Sequence, residues 1–483
     1  MDGFRDQLVA DLAIEIRVAQ QLDDLVRAIG GNRLPLRKPC MEGTRQAVLQ
    51  EIEDKVKSID SHNVIWIRGS PGVGKSALAA SISTRLQDKD QHVISFRFDH
   101  VQSTTITTDS LWRVVACDLI RQYPSLHQHL VEGSKGHSSS DIDRLFKSLI
   151  ETPLSTLDDV PHEELPVIVI DALDKCGGLR HDSSGWDDYE GLLRTLKRWI
   201  QVDHLRKFKL VITSRPDNRI TQIFPDSIST HVNIPSGGDV KPGDSASDDI
   251  RVFLRSRLDA MGMEEAWVVQ AADYLVPRAS GVFIWATTVT DFLRLNPKVR
   301  FSMLKLKNDE RGLENLYSLY FIVLTTSFGI GLTEEEIKAI TSVIGAMTFA
   351  RHPLYDDALI RLLGVESRDM LEFIRRGLMS VIDSGPILRF HHKSFEDFLF
   401  SPSFRQALPK LSGVQDQSLH ECQLAVLCLD CMVSSELHFN MCNLESSNIK
   451  NVDIPASDKS AISPLILYSS TFWADHLIYT PYE

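Results

Sequence analysis

The chain runs to 483 residues, enough for two to four domains that each bury a core of their own. Apolar residues at 43% and charged residues at 24% give the balance of an ordinary globular protein. The formal net charge of −13 is spread along the chain and excludes a general grip on nucleic acid, which needs basic surface. Seven scattered cysteines point to reduced thiols and a cytoplasmic location, and the N-terminus lacks the apolar core of a signal peptide.

Residues 4–29 carry Leu8, Leu12, Ile16, Ala19, Leu22, Val26 and Ile29 at intervals of three or four, and Gly30-Gly31 follows. That spacing predicts one amphipathic helix, packed on a neighbouring domain or self-associating as a short coiled coil. A proline-containing linker leads on to Gly43. Next, Asn63 to Ile67 is an apolar, β-prone run, followed by Gly69-Ser70-Pro71-Gly72-Val73-Gly74-Lys75-Ser76 and then Ala77-Leu78-Ala79-Ala80. Strand, loop and helix occur in the order required by G-x-x-x-x-G-K-[ST], the phosphate-binding loop of nucleoside triphosphatases. Gly72 and Gly74 let the backbone curl with its N–H groups inward, and the helix that begins near Lys75 adds its positive end. Gly69 through Ala77 thus form the expected nucleotide cradle. Lys75 is placed for the β- and γ-phosphates, and Ser76 for Mg²⁺.

Val93 to Phe98 reads as a second strand, Leu111 to Gln122 as a helix, and 131–141 as a loop. Pro166 to Asp171 is an apolar run closed by a carboxylate, as in a buried parallel strand whose polar end emerges where such sheets bind ligands. Lys209 to Thr213, ending in Ser214-Arg215-Pro216, repeats the pattern. Strands alternating with helices predict an α/β domain, a parallel sheet covered by helices on both faces. Asp171, at a strand tip beside the loop, is the expected second Mg²⁺ residue, and Asp174 is a candidate to position attacking water. Arg215 is a candidate to sense or stabilise the γ-phosphate.

Residues 235–249, rich in Pro, Gly, Ser and Asp, read as a linker. Helical patterns follow over Asp249–Met261, Glu264–Leu275 and Gly281–Leu295, and Thr333-Glu334-Glu335-Glu336 opens another helix with a capping box. Leu316 to Leu332 is uncharged but short and carries Ser, Thr and Gly, so it reads as a buried helix rather than a membrane span. Helices over Leu354–Leu363 and Asp369–Gly377, then a hairpin around Ser384-Gly385-Pro386, suggest a winged helix. His392 opens the next amphipathic helix. Cys428 and Cys431, with His420, Cys422, His438 and Cys442 nearby, sit in a helical pattern and read as core rather than as a zinc site. Without the Asn-Lys-x-Asp motif that reads guanine, adenine is favoured.

Taken together, these residues resemble the NACHT class of STAND signalling ATPases, especially the fungal NLR-like set. The resemblance is carried by Cys40-Met41-Glu42-Gly43-Thr44-Arg45, the Gly69–Ser76 loop, Val167 to Asp174, Thr213-Ser214-Arg215-Pro216, and Ala279 to Ala286. It continues in His392-Lys393-Ser394-Phe395-Glu396-Asp397-Phe398-Leu399, Glu436 to Cys442, and Phe472-Trp473-Ala474-Asp475-His476-Leu477. It implies an N-terminal helix and linker (1–39), a nucleotide-binding domain (40–245), a helical lid (246–330), a winged helix (331–402) and a C-terminal helical segment (403–483). It further implies that ADP locks a closed form, that ATP opens it toward homo-oligomers and a protein effector, and that His392 contacts the ADP β-phosphate. Three departures stand out. Lys175 replaces the acid of the usual Asp-Glu pair, so slow or absent hydrolysis is expected. Gly281-Val282-Phe283 replaces the Gly-x-Pro adenine contact, and sensor repeats are not expected in a chain ending at Glu483. A phosphotransferase acting on a small substrate and a nucleotide-independent scaffold remain the alternative readings.

Overall fold

The computed structural model describes residues 26, 32–99, 106–126, 141–157, 160–161, 164–176, 183–241, 243–305, 313–329, 331–363, 368–383, 385, 387–446, 448 and 462–480. The expected helix over residues 4–29 and the expected loop over 131–141 lie almost wholly outside them.

The chain divides into two units, Met1–Phe253 and Leu254–Glu483. In the first, helix α1 (Gln46–Lys57) precedes strand β1 (Val64–Gly69), and helix α2 (Lys75–Gln87) leads to β2 (Val93–Arg97). Helix α3 (Thr108–Gln122), β3 (Val167–Asp171), helix α4 (Ser183–Gln201), β4 (Leu210–Ser214) and β5 (Thr230–Ile234) follow. Helix α5 (Ser245–Asp259) runs across the division between the units.

The five strands are parallel in the order β2-β3-β4-β1-β5. Pairing of Arg68 with Ser214, Ile170 with Ile212, and Arg97 with Asp171 brings their carboxyl ends to one edge. Strand β4 lies between β3 and the loop strand β1, so the strand that leads to Arg215 neighbours that of Asp171. The β5 strand, which the sequence reading passed over, is a short edge strand with an exposed Asn233 and partly exposed Thr230 and His231.

Side-chain alternation along the strands builds two cores. Ile65, Ile67, Val169, Val211 and Val232 face one way, against Leu49, Ile52 and Val56 of α1 and Leu78, Ile82 and Leu86 of α2. Val64, Trp66, Phe96, Ile168, Ile170 and Ile212 face the other way, against Leu111 and Trp112 of α3 and Leu196 and Trp199 of α4. The Trp112 and Trp199 rings stack with centroids 6.0 Å apart and planes 9° from parallel. Trp112 Nε1 donates to Thr195 Oγ1 at 3.0 Å, so the indole's polar edge is satisfied inside the core. Lys209, at the amino end of β4, spends its ammonium on Ser58 O and Ser61 O at 2.7 and 2.9 Å. It thereby closes the turn after α1.

The second unit is mostly helical. Helices α6 (Glu265–Ala279), α7 (Phe283–Leu293), α8 (Pro297–Lys305), α9 (Leu313–Phe328) and α10 (Glu334–Phe349) are followed by α11 (Asp356–Leu363) and α12 (Arg368–Leu378). Ile382 and Phe390 form one antiparallel bridge, and Tyr355 and Ile387 another. Helices α13 (Lys393–Leu399), α14 (Pro402–Ala407), α15 (Gln417–Val433) and α16 (Pro464–Leu477) complete the chain. Thr333 and Glu336 close the expected capping box on α10. Ser245–Asp248, expected as linker, are already helical. Among the described residues, no helix is long and apolar enough to cross a membrane. Leu316, Leu319, Tyr320 and Val323 of α9 are buried, and Cys428 and Cys431 are buried on α15.

A buried polar clasp fastens α16. Glu421 of α15 accepts from Arg351 Nη2 at 2.9 and 3.1 Å and pairs with His476 Nδ1 on α16. His476 Nε2 lies 2.7 Å from the Tyr468 hydroxyl, which also accepts the Arg351 backbone N–H at 3.2 Å. Removing one partner of such a group leaves a buried charge or donor unmatched, so the four residues hold α10, α15 and α16 in one arrangement.

Candidate functional site

The site gathers at the carboxyl edge of the sheet, where open parallel sheets bind their ligands. Strand β1 ends at Gly69, where a Cβ would sit only 3.0 to 3.1 Å from Val73 and Ile234 and would force them to give way. The loop then turns through Gly72 at φ +80° and Gly74 at φ +97°, a region that L-residues rarely enter. Gly74 is the N-cap of α2, and no side chain caps the helix, so its first N–H groups face the concave side of the loop. Ser70 Oγ accepts from Ser236 Oγ at 2.8 Å, which ties the loop to the segment after β5.

Lys75 folds back over this loop. Its ammonium donates to Gly69 O at 2.8 Å and to Ser70 O at 2.9 Å. Burial pushes its pKa down to about 8, against the opposing pull of the Asp174 and Asp171 carboxylates. A half-buried cation with two carbonyl partners thus lies over the loop. Ser76 stands half-buried in the first turn of α2, next to Lys75.

Asp171 is fully buried at the end of β3. Its Oδ1 accepts from Thr213 Oγ1 at 2.6 Å, and Thr213 Oγ1 in turn accepts the Ala172 N–H at 2.9 Å. Among the described residues, Asp171 Oδ2 is buried without a hydrogen-bond partner. A desolvated carboxylate oxygen left bare in this way fits a cation or its bound water, so the donor set suits a divalent metal ion held against phosphate. Ala172 then takes a left-handed backbone at φ 59°, a strained choice for alanine, and turns the chain sharply into Leu173–Lys175.

The structure pairs Asp174 with Arg215. The Arg215 backbone N–H donates to Asp174 Oδ1 at 3.0 Å, and Arg215 Nε lies 3.4 Å from Asp174 Oδ2. Burial lowers the pKa of Lys175, with Asp99 and Asp171 opposing that shift. Asp99, just beyond β2, also pairs with Arg97 at 3.6 Å and with Arg37 at 3.8 Å. The edge is therefore rich in cations around three carboxylates.

His392 belongs to the second unit, where it caps α13. Its Nδ1 accepts the Ser394 N–H at 3.1 Å, and Ser394 Oγ stands 2.7 Å from the Tyr320 hydroxyl. An Nδ1 that accepts a backbone proton leaves the neutral ring's hydrogen on Nε2, a donor position. Within the first unit the structure brings together Gly69 to Ala77, Asp171, Asp174 and Arg215. Thr213 was missed as a site residue; the only signal was a hydroxyl in the last position of an otherwise apolar strand. Arg45 carried family likeness without a role, yet its guanidinium donates to Val73 O in the loop at 2.9 Å.

The family described as Nephrocystin 3, N-terminal, matches residues 43–215. Vegetative incompatibility protein HET-E-1 of Podospora anserina is 24% identical over 449 residues, which is 86% of this chain and 31% of that protein. The chain thus spans about a third of the length of that relative. Among solved structures, a STAND protein with a tetratricopeptide-repeat sensor from Pyrococcus horikoshii aligns with 92% of this chain and 58% of its own, at 15% identity and a TM-score of 0.42. The Aeropyrum pernix ORC2 protein aligns with 81% of this chain and 97% of its own, at 12% identity and a TM-score of 0.35. Over residues 43–215 the chain matches that family model, and over most of its length it is similar to the fungal HET-E-1 protein; the parallel sheet with its glycine-rich loop has the form of a P-loop core, which implies nucleotide binding.

Proposed function

We propose that the chain is a nucleotide-regulated switch that binds ATP or ADP with Mg²⁺ and uses the bound state to control closure between its modules and their oligomerisation. The observation that carries this reading is Asp171 Oδ2, buried without a hydrogen-bond partner among the described residues, at the sheet edge that also carries the loop and its Lys75. Bound Mg²⁺ supplies charge that neutralises the phosphates and polarises their oxygens. The loop's N–H groups bind the phosphate chain, Lys75 contributes a desolvated positive charge, and Ser76 with Asp171 holds the metal's shell.

Arg215 stands as the cation for a γ-phosphate, and Asp174 aims it. With its carboxylate committed to Arg215, Asp174 acts as a positioning group rather than as a base for water. Lys175 leaves the neighbouring position without a carboxylate, so the site holds nucleotide and turns it over slowly or not at all. His392, by family likeness, contributes its Nε2 hydrogen to the ADP β-phosphate and so reports the nucleotide to the second unit. We keep 40–245, 246–330, 331–402 and 403–483 as nucleotide-binding, lid, winged-helix and C-terminal modules, with residues 1–39 and an unidentified protein effector as candidate contacts for the active state.

Lys75→Ala is expected to weaken ADP binding by about 10- to 100-fold, the scale of one charged hydrogen-bond group. It should also abolish any change in small-angle scattering between the ADP and ATP-analogue forms. Unchanged affinity would make the chain a scaffold. Affinity should be flat below about pH 8 and fall as pH rises further, because free Lys75 deprotonates there while phosphate raises its pKa in the complex. Calorimetry in buffers of different ionisation enthalpy should show proton uptake near pH 8–9; its absence removes Lys75 from the phosphate site. Lys175→Glu is expected to raise ATP turnover by about 100-fold, and an unchanged rate would contradict the account of slow hydrolysis.

A further inference from the structure

The turn Met41–Arg45 sits behind the phosphate loop and does something its sequence alone does not reveal. Thr44 closes the turn, its backbone N–H and its hydroxyl both donating to Met41 O at 3.0 and 2.7 Å. Gly43 enters at φ +83°, and a Cβ there would come within 3.8 Å of Val252 Cγ1 on α5. Arg45 follows in a left-handed conformation at φ 60°, and its side chain is only 2% exposed. A strained, non-glycine residue with a buried guanidinium persists only where the surroundings hold it firmly.

Val73 and Asp249 both hold it. One guanidinium N–H donates to Val73 O at 2.9 Å, in the middle of the phosphate loop. The other partner is Asp249 in the first turns of α5. Its Oδ1 accepts the Arg45 backbone N–H at 2.8 Å, and its Oδ2 lies 3.8 Å from Arg45 Nη1. Asp249 therefore caps the start of α1 from another helix and also neutralises the buried arginine. Asp249 and Val252 are three apart on one face of α5, so both fall against the same turn.

The Val73 contact acts through peptide geometry. Val73 C=O and Gly74 N–H belong to one planar, trans peptide and point to opposite sides of it. Fixing the carbonyl on the outer side of the loop aims the Gly74 N–H at the inner side, where the anion would lie. We propose that Arg45 is a positioning residue that presets the Gly74 amide for phosphate and, through Asp249, makes helix α5 respond to what the loop holds. This rests on the nucleotide-binding reading above. Since α5 runs from the first unit into the second, the link supplies a covalently continuous path out of the loop that does not depend on His392.

The test compares wild type, Arg45→Gln, Arg45→Lys and Asp249→Asn for binding of ADP and of inorganic pyrophosphate. Hydrogen exchange in α5 is then followed at saturating ADP. Arg45→Gln should weaken ADP and pyrophosphate alike by about 10-fold or more, since the lesion falls on the phosphate cradle. Asp249→Asn should cost less affinity but erase the ADP-dependent slowing of exchange in α5 that wild type displays. If Arg45→Gln does not fold, Arg45→Lys carries the same expectation at smaller size, because an ammonium cannot span both partners. Wild-type ADP affinity in both Arg45 variants, or ADP-dependent α5 protection that survives in Asp249→Asn, overturns the proposal. A wild-type protein that binds neither ligand instead overturns the nucleotide reading itself.

Discussion

Burying a carboxylate oxygen with nothing to accept costs free energy, on the order of 1–3 kcal/mol even when its partner oxygen is satisfied. Asp171 bears that cost at the tip of β3, and Lys75, desolvated over two carbonyls, bears a related one a strand away. On the proposed reading, both strains would be relieved by one event, the arrival of a polyanion with its cation. The parallel sheet makes this possible, because it delivers every strand's carboxyl end to one edge. The two helix-covered cores exist to keep that edge rigid.

The same constraint explains how the residues divide their work. Thr213 fixes Asp171 from β4, so one carboxylate oxygen is held while the other stays bare. Asp174 is paired with both the backbone N–H and the guanidinium of Arg215. Arg45 holds the carbonyl of Val73 in the loop. In the second unit, Arg351, Glu421, Tyr468 and His476 form a closed polar group that fastens the last helix.

Much of this was legible from residue order. The glycines at 72 and 74 announce left-handed turns, and the apolar runs ending in Asp171 and Thr213 announce buried parallel strands. The capping box at Thr333 fixed a helix start. That the strand leading to Arg215 neighbours that of Asp171 was legible, but the place of β1 between β4 and β5 was not, because pairing across long connections depends on which helix covers which face. The β5 strand escaped notice because Thr230, His231 and Asn233 interrupt its apolar pattern, as an edge position permits. The start of α5 was hidden by Ser and Asp, which favour turns but serve equally at a helix N-terminus. The roles of Thr213 and Arg45 were invisible for another reason: each acts on a residue far off in sequence and carries no local signature.

The central claim is that the carboxyl edge holds a nucleotide diphosphate together with Mg²⁺. Calorimetric titration of ADP into protein stripped of nucleotide, with and without Mg²⁺, tests it most directly. The account predicts one saturable site per chain, tightened by Mg²⁺ through the bare oxygen of Asp171. Uptake of neither adenine nor guanine nucleotide at millimolar concentration, with Mg²⁺ present, would contradict it.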